Sequence, residues 1–161
     1  MDTKARGILP REEKGPIAPA PRLEGPVQAV IDAVSAWPGI ETTVHWHLVD
    51  RTRVDGVDFY VGDEELGHLH LDGSIHLATR PALGRAMIAE GVARSFRYQQ
   101  GWVEEQVGRI GTDAAVALFR RNYDDLAARF SPPPARWRAG SSRRSRPVSP
   151  RRPGSRTVRT R

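Results

Sequence analysis

The chain has no cysteine. Disulfides, thiolate metal sites and a cysteine nucleophile are therefore excluded, and any metal would have to be held by nitrogen and oxygen ligands. Lysine is nearly missing too, with only Lys4 and Lys14 against 23 arginines. No run of about 18 apolar residues exists to cross a bilayer, and Met1 to Arg22 lacks the apolar stretch of a signal peptide. A soluble protein of the cytoplasm, without membrane contact, is the expectation. Acidic residues are absent from Ser131 to Arg161, where ten arginines stand. This segment carries +10 against a chain total of +6, so the remainder is 6 − 10 = −4. An argument from basicity to nucleic acid thus concerns the tail alone.

With 161 residues, the chain is expected to hold one domain between two disordered ends. Residues 1–22 carry four prolines and no sustained period and read as a disordered leader. Residues 131–161 begin Ser-Pro-Pro-Pro and continue as an Arg/Ser/Pro/Gly run, too poor in apolar groups to offset the entropy of ordering. Such a tail could bind polyanions weakly and in a salt-sensitive way. It could equally be a solvated extension without a partner, or the product of readthrough or a shifted frame in a GC-rich coding sequence.

Between the ends, residues 23–130 change period several times. Val27, Val30, Ile31, Val34 and Trp37 fall at helical spacing, with Pro26 suited to a first turn and Pro38-Gly39 as a stop. From Thr42 to Leu77 the period is two, giving four strands. Pro81 opens a short helix that Gly91 closes. Ser95 to Tyr98 and Trp102 to Val107 read as a further hairpin, Gly108-Arg-Ile-Gly111 as a turn and cap, and Thr112 starts a last helix with Val116, Phe119, Tyr123, Leu126 and Phe130 on one stripe. The order α-β-β-β-β-α-β-β-α predicts an α+β fold, an antiparallel sheet of about six strands with helices packed on one face. Trp46 and Trp102, set among apolar neighbours in strand patterns, are expected in the core.

Chemistry concentrates in Glu65-Leu-Gly-His-Leu-His-Leu-Asp-Gly-Ser-Ile-His-Leu77, which holds three of the five histidines. Apolar alternation through Leu69, Leu71, Ile75 and Leu77 demands a hairpin loop of odd length, because an even loop would turn one pair to solvent. With Asp72, Gly73 and Ser74 as that loop, Leu71 pairs with Ile75, Leu69 with Leu77 and His70 with His76. His68, His70 and His76 then share the opposite face, where three imidazoles could take zinc or another divalent transition metal. Asp72 or Glu104 are the further ligand candidates, and His45 or His47 could complete or orient the set. The alternative is a half-solvated strand face on which histidine does nothing, in a non-enzymatic module that binds protein or nucleic acid. Ser74 on a turn without oxyanion donors is a poor nucleophile, and no catalytic residue is assigned.

Glu65-Leu-Gly-His-Leu-His, Asp72-Gly-Ser-Ile-His-Leu, Ile88-Ala-Glu-Gly91 and Gly101-Trp-Val, followed by Tyr123 in the last helix, resemble the small luciferase-domain family of bacteria and fungi. The resemblance spans about Pro38 to Ala127. It implies an α+β domain of unknown biochemical role in which His68, His70 and His76 match the family's histidines. Family members often carry another histidine shortly after the glycine that ends the middle helix; Val92 to Tyr98 holds none and has Ser95 and Phe96 there. No flavin or luciferin motif accompanies the likeness. Pro38-Gly-Ile-Glu41, Gly101-Trp-Val103 and Tyr123 are similar to MmcQ/YjbR-like domains, which implies the same helix-flanked sheet and a nucleic-acid or protein-binding role.

Overall fold

A computed structural model describes residues 13–130. The elements run α1 (Gly25–Ser35), β1 (Ile40–Trp46), β2 (Val54–Val61), β3 (Glu64–His70), β4 (Ser74–Leu77), α2 (Pro81–Ala89), β5 (Arg94–Ser95), β6 (Val103–Gln106), α3 (Val107–Ile110) and α4 (Thr112–Phe130). The α+β order follows the sequence periods. The one addition is α3, a single turn of helix where Gly-Arg-Ile-Gly reads as a turn, capped by the Gln106 side chain accepting from Gly108 N. Six antiparallel strands lie in the order β1-β2-β3-β4-β6-β5.

Burial of the period-2 residues explains which face the helices cover. Val57, Phe59, Leu69, Ile75, Leu77 and Val103 point to α1 and α4, where Val30, Val34, Leu118, Phe119 and Leu126 meet them. Phe59 and Phe119 pack edge to face with centroids 5.1 Å apart. α2 adds Met87 to the same core.

A bulge in β3 interrupts the alternation. Asp58 pairs with His68 and Phe59 with Gly67, but Tyr60 pairs with Glu65, so Leu66 is an extra residue. Leu66 is fully buried in the helix-side core, and its carbonyl accepts from Asn122 Nδ2 at 2.7 Å. Past the bulge the parity resets. Glu65 and His68, three apart, therefore lie on one face instead of opposite ones.

The histidine hairpin keeps the odd loop but not the expected register. Leu69 pairs with Ile75, His68 with His76 and Gly67 with Leu77, one step nearer the strand start. Gly73 is the reason. Its φ of 85° places it in the left-handed region at the end of the loop, and its N–H donates to His70 O at 3.0 Å. A loop of Leu71, Asp72 and Gly73 puts glycine where positive φ is needed, whereas Asp72, Gly73 and Ser74 would put serine there. Leu71 is the casualty, 46% exposed at the tip.

Two other expectations give way. Part of the leader is packed, since Val44 N–H donates to Ala18 O at 3.0 Å and Trp46 Nε1–H to Pro16 O at 2.8 Å. The hairpin before α3 is also shorter than the alternation suggests: β5 ends at Ser95, and Phe96 turns back over the sheet. The remainder of the expected leader and the Arg-rich tail lie outside the described residues. Among those described, no helix is long and apolar enough to cross a membrane.

Candidate functional site

The face away from the helices is polar, yet it is not a solvated face. Asp58, Glu65 and His68 are buried. The 13–18 segment covers one side of them, and the loop after β5 covers the other, its Phe96 ring tilted on His76 with centroids 4.2 Å apart.

His68, His70 and His76 come together. His76 Nδ1 stands 2.9 Å from His68 Nε2 and 3.1 Å from His70 Nε2. The second nitrogen of each partner faces a carboxylate: His68 Nδ1 lies 3.1 Å from Glu65 Oε1, and His70 Nδ1 lies 3.1 Å from Asp55 Oδ2. A carboxylate only accepts, so these Nδ1 atoms donate and leave both Nε2 lone pairs turned inward. His45 joins from β1, stacked on His68 at 4.0 Å, with its Nδ1–H donating to Asp58 Oδ1 at 2.7 Å. One ligand nitrogen from each of His45, His68 and His70 falls within 4.8 Å of the others, and Asp58, Glu65 and His68 form a second such group; His76 contacts two of the imidazoles but belongs to neither group, so a shared ion would have to draw the three rings closer together.

The remaining sequence candidates sit apart. Asp72 is a turn residue, its Oδ1 accepting from Ser74 N at 2.8 Å. Glu104 lies opposite His76 in the β4–β6 pair, but its carboxylate is directed to Arg94, 3.8 Å away. His47 belongs to the loop after β1, where its Nδ1 accepts from Asp50 N. Trp102 is buried as expected, though outside the helix-side cluster, whereas Trp46 is not in the core. The β1–β2 pairing is irregular between His45 and Trp46, and Trp46 lies instead along a cavity that His45 and Leu48 also line. Trp102 is 7% exposed and packs on His68 at 5.7 Å.

These aromatic groups wall a cavity of about 470 Å³, with His45, His68, His70 and His76 on its floor and Trp46, Leu48, Phe96, Tyr98 and Trp102 around it. That volume suits a small organic molecule.

Burial and the crowding of imidazoles set the protonation. His76 is pushed down to about 4, by burial first and then by His70 and His45. Burial, then His45, also lowers His68 well below its ordinary value and lowers His70. All three are neutral at pH 7, the form that binds metal. Burial alone would lower the Lys14 ammonium, but the carboxylates of Glu65 and Asp58 outweigh it and hold Lys14 above the ordinary lysine range. Lys14, Asp55, Asp58 and Glu65 are the residues that sequence reasoning missed. Of these only Glu65 had a usable signal, the Gly67 that permits a bulge.

Residues 63–121 match the family model of the Luciferase domain. The match runs from the turn before β3 into α4; it includes His68, His70, His76 and Trp102 and leaves His45 and Asp58 outside. No curated protein and no solved structure matches the chain.

Proposed function

We propose that the polar sheet face of this Luciferase-domain protein is a transition-metal site, with His68, His70 and His76 as ligands, and that the aromatic cavity admits a small molecule to the ion. The observation that carries the reading is the double contact of His76 Nδ1 with two inward-facing Nε2 atoms at 2.9 and 3.1 Å. Nitrogens bound to one ion at about 2.0–2.1 Å stand about 3 Å apart at a right angle and at most about 4.2 Å apart in line. A single hydrogen on His76 Nδ1 can serve one neighbour only, so the other contact sets lone pair against lone pair. A cation between them relieves that repulsion. The carboxylates on the far nitrogens support the same reading, because they fix ring orientation and raise ligand basicity. Three imidazoles leave a coordination position open, which suits zinc or non-haem iron acting on a bound small molecule. Cytoplasmic residence belongs to the proposal, in keeping with the cysteine-free sequence.

The test is elemental analysis of the full chain purified without chelator, beside His70→Ala/His76→Ala, with circular dichroism to check the fold. Near-stoichiometric metal that disappears in the folded variant is the expected outcome. Absence of metal after reconstitution with zinc, iron and copper overturns the proposal. The competing partner-binding reading would then rest on Leu48 and Tyr98, 78% and 71% exposed at the cavity.

A further inference from the structure

A second ligand set lies beside the histidines, and the chain places its own cation in it. The segment before α1 is anchored at Ala18 and Pro16 as described, and again where Arg51 Nη1 donates to Glu13 O at 2.6 Å. Between the last two anchors Lys14 turns inward. Its Nζ reaches Glu65 Oε1 at 2.6 Å and Asp58 Oδ1 at 3.4 Å, with the side chain only 15% exposed. Gly15 lets the segment pass this close, since a Cβ there would lie 2.6 Å from the Trp46 ring.

Asp58, Glu65 and His68 each offer one ligand atom within 4.8 Å of the others. The side chains of the two carboxylates are 2% and 1% exposed, and they come from adjacent strands. His68 Nδ1 lies 3.1 Å from Glu65 Oε1 and 3.8 Å from Asp58 Oδ1. An independent observation points to a ligand larger in charge than an ammonium. Glu65 Oε2 is buried and has no hydrogen-bond partner, which costs free energy that an ion taking both oxygens would recover. Charge agrees, because one ammonium leaves two carboxylates one unit short of balance, whereas a divalent ion balances them. The residue type agrees as well: in a chain with 23 arginines and two lysines, this position has the compact ammonium and not the planar guanidinium.

We propose that Asp58, Glu65 and His68 form a second, divalent-cation site, and that Lys14 fills it as a tethered substitute, so that a metal ion enters when the 13–18 strap lifts. The site differs from the histidine centre in its atoms, taking His68 through Nδ1 where the other uses Nε2; with both filled, His68 gives up the Nδ1 proton that otherwise goes to Glu65 and bridges the two ions as an imidazolate. Strap and ion compete for the same carboxylates.

The experiment measures bound manganese and zinc by elemental analysis and titration calorimetry on the full chain and on Lys14→Met. The variant is expected to bind one ion more per chain than the parent, and Lys14→Met/Asp58→Asn/Glu65→Gln to return to the parental count. The extra ion should persist in Lys14→Met/His70→Ala/His76→Ala, so failure here and failure of the histidine centre are read separately. No gain in Lys14→Met overturns the proposal, as does a gain that survives loss of both carboxylates. Should Lys14→Met be loosened, its thermal midpoint is the second readout. A rise on adding manganese, absent in the parent, is expected, and a midpoint that the ion does not move refutes the site.

Discussion

Gly67→Ala tests whether the bulge in β3 organises the site. The glycine has φ 146°, and a Cβ there would stand 2.4 Å from His76 O and 3.0 Å from Leu77 Cα, both backbone atoms of the neighbouring strand. Holding a residue with a Cβ in that region of φ costs about 1–3 kcal/mol. Relieving a contact with main chain, which cannot rotate away, means moving β4 and weakening its ladder by roughly another 1–2 kcal/mol. The expected loss is about 3 kcal/mol. With a urea slope of about 1–3 kcal/mol per molar, the midpoint should fall by about 1–3 M. Gly62→Ala is the control, because its φ of 60° is also positive but nothing lies within 4 Å of the added Cβ. It should lose about 1–2 kcal/mol, the left-handed cost alone. If Gly67→Ala shifts the urea midpoint no more than Gly62→Ala does, close approach of β3 and β4 is not what the glycine provides, and the account of how Glu65 and His68 reach one face fails.

Phe119→Ala removes a fully buried ring that meets Phe59 edge to face; it should cost about 3–5 kcal/mol in chemical denaturation, and a loss under about 1 kcal/mol would show that the helix layer does not depend on this contact. The metal-free protein should also weaken in acid. His76 has its folded value near 4 against an ordinary value of 6.5, so the unfolded chain binds the proton first. Stability is therefore complete above about pH 6.5 and declines as pH falls towards 4, with His68 and His70 acting in the same direction. Allowing for its partial exposure to solvent, His76 alone contributes about 2 kcal/mol of this loss. Urea midpoints at pH 7.5 and 4.5 measure it, and an unchanged midpoint would contradict the burial of the cluster.

The α+β order was legible because each element keeps one period over enough residues: Val30, Ile31 and Val34 can bury only as a helix, and Val57 and Phe59 only as a strand. The shared face of His68, His70 and His76 was legible for a related reason, since the parity of a hairpin loop follows from which side its apolar residues must take. Register does not follow from parity. Leu71 could have paired with Ile75 on hydrophobic grounds, but one leucine side chain left partly exposed costs less than forcing a serine into the conformation Gly73 accepts, and the turn decided the outcome.

The carboxylates were hidden for a different reason. Strict alternation assigns Glu65 and His68 to opposite faces, and a single extra residue at Leu66 cancels that assignment. Asp58 and Asp55 needed the β2–β3 pairing before either could be placed against an imidazole. Lys14 needed still more, because it reaches the site from a stretch whose proline content argued for disorder. Proline forbids regular ladder bonding, yet it also lowers the entropy lost when a strap is laid down. Ala18 and Pro16 each supply a carbonyl to a donor on β1, and the carbonyl is the hydrogen-bonding group that every residue of such a segment keeps, proline included. The residues that look least structured in the sequence are thus chemically suited to cover a polar face whose partners include an unpaired edge strand and an indole N–H. This is how three histidines on a strand become a buried cluster with carboxylates behind them.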